Sequence, residues 1–273
     1  MENTLELNKK NKPDIKEKPL SGLERSLAVL NLMADFPRRV IDIKKEMNLP
    51  WATAHRTVKK LEKAEFLIFN PETSKYEIGP RLWHLGSCYL ANNKMLKASI
   101  THLAQDRTLK DIDIQIVERI GDNSVVIHAE KRQVNEISMA QYGYPIPLHA
   151  GSKGLVLLAF ESEKFIKNYL SRDLPPLTNH TLIDKNTILK RLKEIKDSGF
   201  AQTKGDVQNF TGSIAAPIFG QNRKTLGCVC FVYLNKVSNN KESMDQLKES
   251  LLIMAHSISV ELGWNPSKSS FSR

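Results

Sequence analysis

The chain has 273 residues, with 40 Lys plus Arg against 30 Asp plus Glu, a formal charge of +10; 41% of its residues are hydrophobic and 26% charged. That balance belongs to an ordinary globular protein of about two domains, and it excludes collagen, wholesale disorder and a mini-protein. The longest apolar run, Leu226–Leu234, is nine residues, against the roughly 20 needed to span a bilayer, and residues 1–19 lack the apolar stretch of a signal peptide, so a cytoplasmic protein with no membrane partner is expected.

Three cysteines, Cys88, Cys228 and Cys230, form an odd and sparse set that argues against disulfides and fits a reducing compartment. Cys228 and Cys230 stand two apart in a strand-like run, so they share a face and read as small buried hydrophobes. A C-x-C with no neighbouring His or Cys pair gives no metal set, and no cofactor motif is present. The basic excess is spread along the chain: one charge in residues 1–20, three in 21–85 and six in 86–273. Net charge alone therefore says little about a polyanionic partner, and the placement of individual cations has to decide.

Residues 1–20 are polar, broken by Pro13 and Pro19, and read as a mobile tail. From Gly22 to Asp35, Leu23, Leu27, Leu30 and Ala34 recur at helical spacing behind Ser21 as N-cap. Pro37 stops that helix. A short second helix over Ile41–Met47 buries Ile43 and Met47, a turn follows at Asn48, Leu49 and Pro50, and a third helix runs from Trp51 to Ala64. Ala54, Val58 and Leu61 form its inward stripe. The opposite side carries Ala52, Thr53, Arg56, Lys59, Lys60 and Lys63. Phe66–Asn70 and Lys75–Ile78 then read as a β-hairpin.

Three helices with a tight turn before the third, followed by a hairpin, describe a winged helix-turn-helix over residues 21–80. A helix with a small polar start and cations along one side suits the major groove of double-stranded DNA. Thr53 and Arg56 are assigned to base edges or nearby phosphates, Lys59, Lys60 and Lys63 to the backbone, and Lys75, near the tip of the hairpin, to an adjacent backbone. His55, at the edge of the inward stripe, is read either as a packing residue or as a phosphate contact.

Residues 81–95 read as a linker helix with Leu82, Leu85 and Tyr89 at helical spacing. Beyond it, residues 96–264 mix strands (Ile112–Ile116, Val125–Ala129, Glu136–Tyr142, Ser213–Phe219, Thr225–Tyr233) with helices (Leu96–Leu109, Lys153–Phe160, Glu163–Leu170, Asp184–Ser198, Lys241–Leu262). This is an α+β domain with a mostly antiparallel sheet and helices able to cover one face. Residues 265–273 read as a flexible end. The loop Ala150–Gly154 opens a helix, so its N–H groups would favour a bound anion such as a carboxylate. Lys153 would neutralise it, although Ser152 could equally cap the helix while Lys153 points into water.

The runs LERSLAVLNLMA, LPWATAHRTVKKLEKAEFL, YEIGPRLWHLG, PLHAGSKGLVLLAF and GSIAAPIFGQNRKTLGCVCF occur in this order. Together with the last helix ending SVELG, they resemble the IclR family of bacterial transcriptional regulators across about residues 21–263. The resemblance implies a dimeric or tetrameric DNA-binding protein whose second domain is a GAF-like fold that binds a small-molecule effector. It places effector contacts at Gly151, Ser152, Lys153, Ser213 and Cys230. Two departures stand out: Ser213 replaces a frequent Cys, and GDVQNF, which leaves Asp206, replaces a more acidic stretch.

A ligand-responsive regulator, a repressor controlled by a small organic acid, is thus the leading reading. An enzyme or metabolite sensor without operator binding is the alternative, with Cys228 or Cys230 as nucleophile and His149 or His128 as base. Against it, no G-x-S-x-G, Walker loop, H-E-x-x-H or G-x-G-x-x-G is present. A nonspecific architectural DNA binder would not need the second domain.

Overall fold

The computed structural model describes residues 20–105, 112–132, 142–235 and 241–265. The tail, most of the strand expected at 136–142, the far end of the helix expected to reach Leu109 and nearly all of 265–273 lie outside the described residues. The chain forms two compact units that divide between Asn92 and Asn93.

In the first unit, α1 (Gly22–Met33) starts on a reciprocal cap: the Glu24 N–H donates to Ser21 Oγ at 3.3 Å and the Ser21 N–H to Glu24 Oε2 at 2.8 Å. Helices α2 (Val40–Glu46) and α3 (Trp51–Lys63) follow, then strands β1 (Leu67–Asn70) and β2 (Lys75–Ile78) in antiparallel register with Asn70 opposite Lys75. Helix α4 (Pro80–Asn92) completes the unit. Val29, Met33, Ile43, Val58, Leu61, Leu67 and Tyr76 form one core. The inward face of α1 differs from expectation. Val29 and Met33 are buried, whereas Leu23 and Leu27 are 71% and 51% exposed and Ala34 lies outside as the C-cap. Helix α1 carries apolar residues on two faces, and spacing alone does not say which of them the core takes.

Arg38 fixes the wing to the helices. It is buried, its guanidinium pairs with Glu46 at 3.1 Å and donates to the Leu32 and Phe36 carbonyls, and its backbone exchanges hydrogen bonds with Tyr76 of β2. A buried cation with this many partners is a structural bracket rather than a ligand contact.

The second unit is built on a six-stranded antiparallel sheet in the order β5-β4-β3-β8-β7-β6, from β3 (Asp113–Ile120), β4 (Asn123–Glu130), β5 (Pro145–Pro147), β6 (Ala201–Lys204), β7 (Thr211–Phe219) and β8 (Thr225–Leu234). Helices cover both faces, not the single face expected. Ile114, Ile116, Ile214, Ile218 and Phe231 pack with α5 (Lys94–Gln105) and α9 (Lys241–Glu261). Val117, Val126, Ala215, Cys228 and Cys230 pack with α6 (Gly151–Ala159), α7 (Glu163–Leu170) and α8 (Lys185–Ser198). The period-2 alternation of a strand supplies both sets, since neighbouring residues face opposite sides. Gly154 lets α6 lie close to its own lead-in, because a Cβ there would stand 2.6 Å from the Leu148 carbonyl oxygen.

Candidate functional site

Helix α3 follows a turn in which Asn48 takes φ +51°, and Pro50 serves as its N-cap. Ala54, Thr57, Val58 and Leu61 face the core, which turns the remaining residues outward. Ala52, Arg56, Lys59, Lys60 and Lys63 are exposed, as is Lys75 on β2; Thr53 and His55 are half-buried. The Thr57 hydroxyl donates to the Thr53 carbonyl at 2.8 Å.

The cations on this face are not equivalent. Lys59 donates to Glu62 at 2.7 Å, which raises its pKa, and its ammonium lies 5.9 Å from the Tyr76 ring centre. Arg56, Lys60 and Lys63 have no acidic partner among the described residues, and the first turn of α3 holds no acid. Beside the wing, an open cleft of about 320 Å³ is lined by Phe36, Pro37, Arg38, Arg39, Asp42, Glu46, Thr73 and Lys75. Both of its arginines are already paired, Arg38 with Glu46 and Arg39 with Asp42. One residue of this surface escaped the sequence reading: Trp51 is 53% exposed and stacks on His55, with ring centroids 4.7 Å apart and planes 9° from parallel. The four-residue spacing was visible, but the exposure of the indole was not.

The stretch at the start of α6 is organised in the opposite manner. Gly151 takes φ +76°, a conformation that favours glycine, and a Cβ there would lie 2.8 Å from Val207 Cγ2. Ser152 is buried; its Oγ donates to Ser213 Oγ at 2.7 Å and lies 3.7 Å from Cys230 Sγ, and Thr203 Oγ1 stands 3.2 Å from Ser213 Oγ. Gly151, Ser152, Ser213 and Cys230 are thus brought together, and Thr203, which the sequence reading missed, joins them from β6.

Of the two readings left open for this stretch, the one with a capping Ser152 and a solvated Lys153 does not hold. Ser152 is a helical residue rather than a cap, and the N-cap, Ala150, makes no side-chain capping bond. The Ser152 N–H already donates to Thr203 Oγ1 at 3.1 Å, so one of the donors expected to face an anion is satisfied by the chain itself. Lys153 does not point into open water. Its ammonium donates to Gln115 Oε1 of β3 at 3.2 Å, and burial lowers its pKa against the opposing pull of Cys230 and Cys228. Asp206 does not join the hydroxyl cluster among the contacts described. Burial pushes its carboxyl up to about 6, partly offset by the Lys204 backbone and by His180 and Arg191, while its carbonyl accepts from Thr181 Oγ1 at 2.6 Å.

Apart from His128, the groups that an enzyme would need are engaged or buried. His149 is buried, with Nδ1 accepting from the Tyr169 hydroxyl at 2.8 Å and Nε2 donating to the Pro175 carbonyl at 3.0 Å. Burial lowers its pKa and pushes the Tyr169 hydroxyl up to about 12. Cys228 and Cys230 are fully buried with raised pKa values, the opposite of an activated thiol. His128 stands on β4 opposite Ile116. Among the described residues, no group of His, Cys, Asp and Glu could hold a metal, and no helix is long and apolar enough to cross a membrane.

The family description "Bacterial transcriptional regulator IclR C-terminal" matches residues 89–260, more than half of the chain. The chain belongs to the IclR family of bacterial transcriptional regulators. As a member of that family it is a regulator of transcription and not an enzyme. A curated relative, the HTH-type transcriptional repressor AllR of Escherichia coli K12, is 26% identical over 208 residues, covering 75% of this chain and 77% of the relative. Two solved structures share the fold along nearly their whole length. The IclR transcriptional regulator of Alicyclobacillus acidocaldarius superposes with a TM-score of 0.77 at 19% identity, covering 89% of this chain and 99% of the other. An IclR homologue of Microbacterium hydrocarbonoxydans, solved with 4-hydroxybenzoate, gives 0.73 at 23% identity over 89% and 99%.

Proposed function

We propose that this IclR-family protein is a cytoplasmic repressor that binds a DNA operator through α3 and the wing and is controlled by a small organic acid held at the start of α6. The observation that carries the DNA half is the outward row of Arg56, Lys60 and Lys63, cations without acidic partners among the described residues on an exposed helix face. Ala52 and Thr53 lie next to the base edges and Arg56 reaches them; Lys60, Lys63 and Lys75 meet phosphates, with Lys59 giving up its pairing to Glu62 when it does so. His55 supports the first turn through its stack on Trp51. The name of AllR supports repression.

The effector half is supported by chemistry at the α6 stretch. Among the described residues the Lys153 ammonium has no carboxylate partner and donates to the neutral Gln115, so it is incompletely compensated, and an anion would restore the balance. Gly151, Ser152, Ser213 and Cys230 would line the same site, with Asp206 at its margin. A solved neighbour holds 4-hydroxybenzoate, an acid. Control then follows from population shift: the acid favours one placement of the DNA-binding unit by no more than its difference in affinity for the two placements.

A homodimer or homotetramer completes the reading. Helix α4 buries none of its residues and shows Trp83 77% exposed together with Leu85, Tyr89 and Leu90. That is an apolar surface of the kind a second copy covers, and matching heads require a pseudo-palindromic operator.

The test is selection of bound duplexes from a random pool, followed by titration of Arg56→Ala on the winning sequence. A loss of about 1–3 kcal/mol with relaxed preference is expected; unchanged affinity and preference would remove α3 from the groove. A panel of small carboxylates, followed by operator release, tests the effector half, with Lys153→Met expected to abolish the response.

A further inference from the structure

Trp51 opens α3 with more than half of its surface exposed. Aromatic rings of this size ordinarily dominate cores and interfaces, and an uncovered one forgoes that stabilisation. The ring is nevertheless held. His55, one turn further on and half-buried, stacks on it with centroids 4.7 Å apart and planes 9° from parallel. At about 100° per residue, Trp51 and His55 run along one border of the exposed face, next to Ala52 and Lys59. A rigid apolar plate therefore sits beside a row of cations, in a first turn free of acidic residues.

The cations on this helix select a polyanion, and contacts to phosphates carry no sequence information. An apolar plate can read sequence in the major groove, because that groove holds one apolar marker, the C5-methyl group of thymine. We propose that the Trp51 indole, steadied by His55, covers a thymine methyl in each half-site of the operator and so supplies a base preference that the lysines of α3 do not. The proposal rests on α3 lying in the major groove.

The experiment uses the full-length protein and the duplex selected from a random pool, with each thymine replaced in turn by deoxyuridine, which removes the methyl group alone. At one thymine per half-site the wild-type protein is expected to lose about fourfold in affinity, the effect of uncovering one methyl-sized group. Trp51→Ala should bind less tightly and show no further loss at that position, whereas Trp51→Phe should keep the discrimination. The proposal is overturned if no thymine methyl matters to the wild-type protein, a result that needs no variant to fold, or if Trp51→Ala stays as sensitive as wild type. Arg56→Ala separates the two levels. If it too binds the duplex like wild type, the placement of α3 fails and the indole contact with it. If it weakens binding while methyl sensitivity survives in Trp51→Ala, the indole contact alone fails.

Discussion

Two helices of this protein begin at polar surfaces and treat them in opposite ways. At α3 the cations face outward and, apart from Lys59, lack acidic partners among the described residues. At α6 the hydroxyls of Ser152, Thr203 and Ser213 satisfy one another, and Lys153 leans on Gln115. Exposed, uncompensated charge interacts with a polyanion at long range and depends strongly on salt. A buried hydrogen-bonded cluster is costly to disturb, so it suits a small ligand that must match its groups. On the proposed function, partner size and site burial go together in one chain.

The difference between the regions can be broken by mutation, beginning with the largest effect. Leu158→Ala, on the fully buried side of α6, should lower the stability of the second unit by about 2–5 kcal/mol in urea unfolding. Exposed Lys63→Ala should leave stability within about 0.5 kcal/mol; comparable losses for both would deny the contrast. Next, Ser213→Val should cost about 1–3 kcal/mol, because Ser152 and Thr203 lose a shared hydroxyl in a closed environment. An unchanged melting curve would mean that the cluster is not a stabilising network.

Asp206→Asn tests the buried region through pH. The folded carboxyl is raised to about 6 from an ordinary value near 3.8, so its favourable contribution is complete below about pH 4 and is lost as pH rises through 6. The neutral amide should therefore raise stability at pH 7.5 by about 1 kcal/mol after allowance for solvent screening, with the gain vanishing near pH 4. A variant less stable than wild type at pH 7.5 would show that His180 and Arg191 hold the carboxylate more strongly than burial opposes it.

The helix order, the turn at Asn48–Pro50, the wing and the long strands were legible because each carries a local signal: a cap, a proline, or alternation such as Ile112, Ile114 and Ile116. What stayed hidden depends on the rest of the chain. The apolar residues of α1 fit two faces, and the choice of Val29 and Met33 over Leu23 and Leu27 is made by α2, α3 and Tyr76. The short edge strands β5 and β6 have too few residues to show a period. At the α6 stretch, the sequence left open whether Ser152 and Lys153 meet an anion or whether Ser152 caps the helix and Lys153 is solvated. The actual partners, Thr203 and Gln115, are 51 and 38 residues away in sequence, beyond any local pattern. The exposure of Trp51 was likewise unreadable, because an aromatic at a helix start is ordinarily core.

The outward cationic face of α3 as the DNA contact is tested most directly by the salt dependence of operator affinity for wild type and Lys60→Ala. The slope of log affinity against log salt should fall by about one in the variant, with weaker binding to all duplexes alike and an unchanged ranking of sequences. Equal slopes and equal affinities for the two proteins would place the DNA on some other surface.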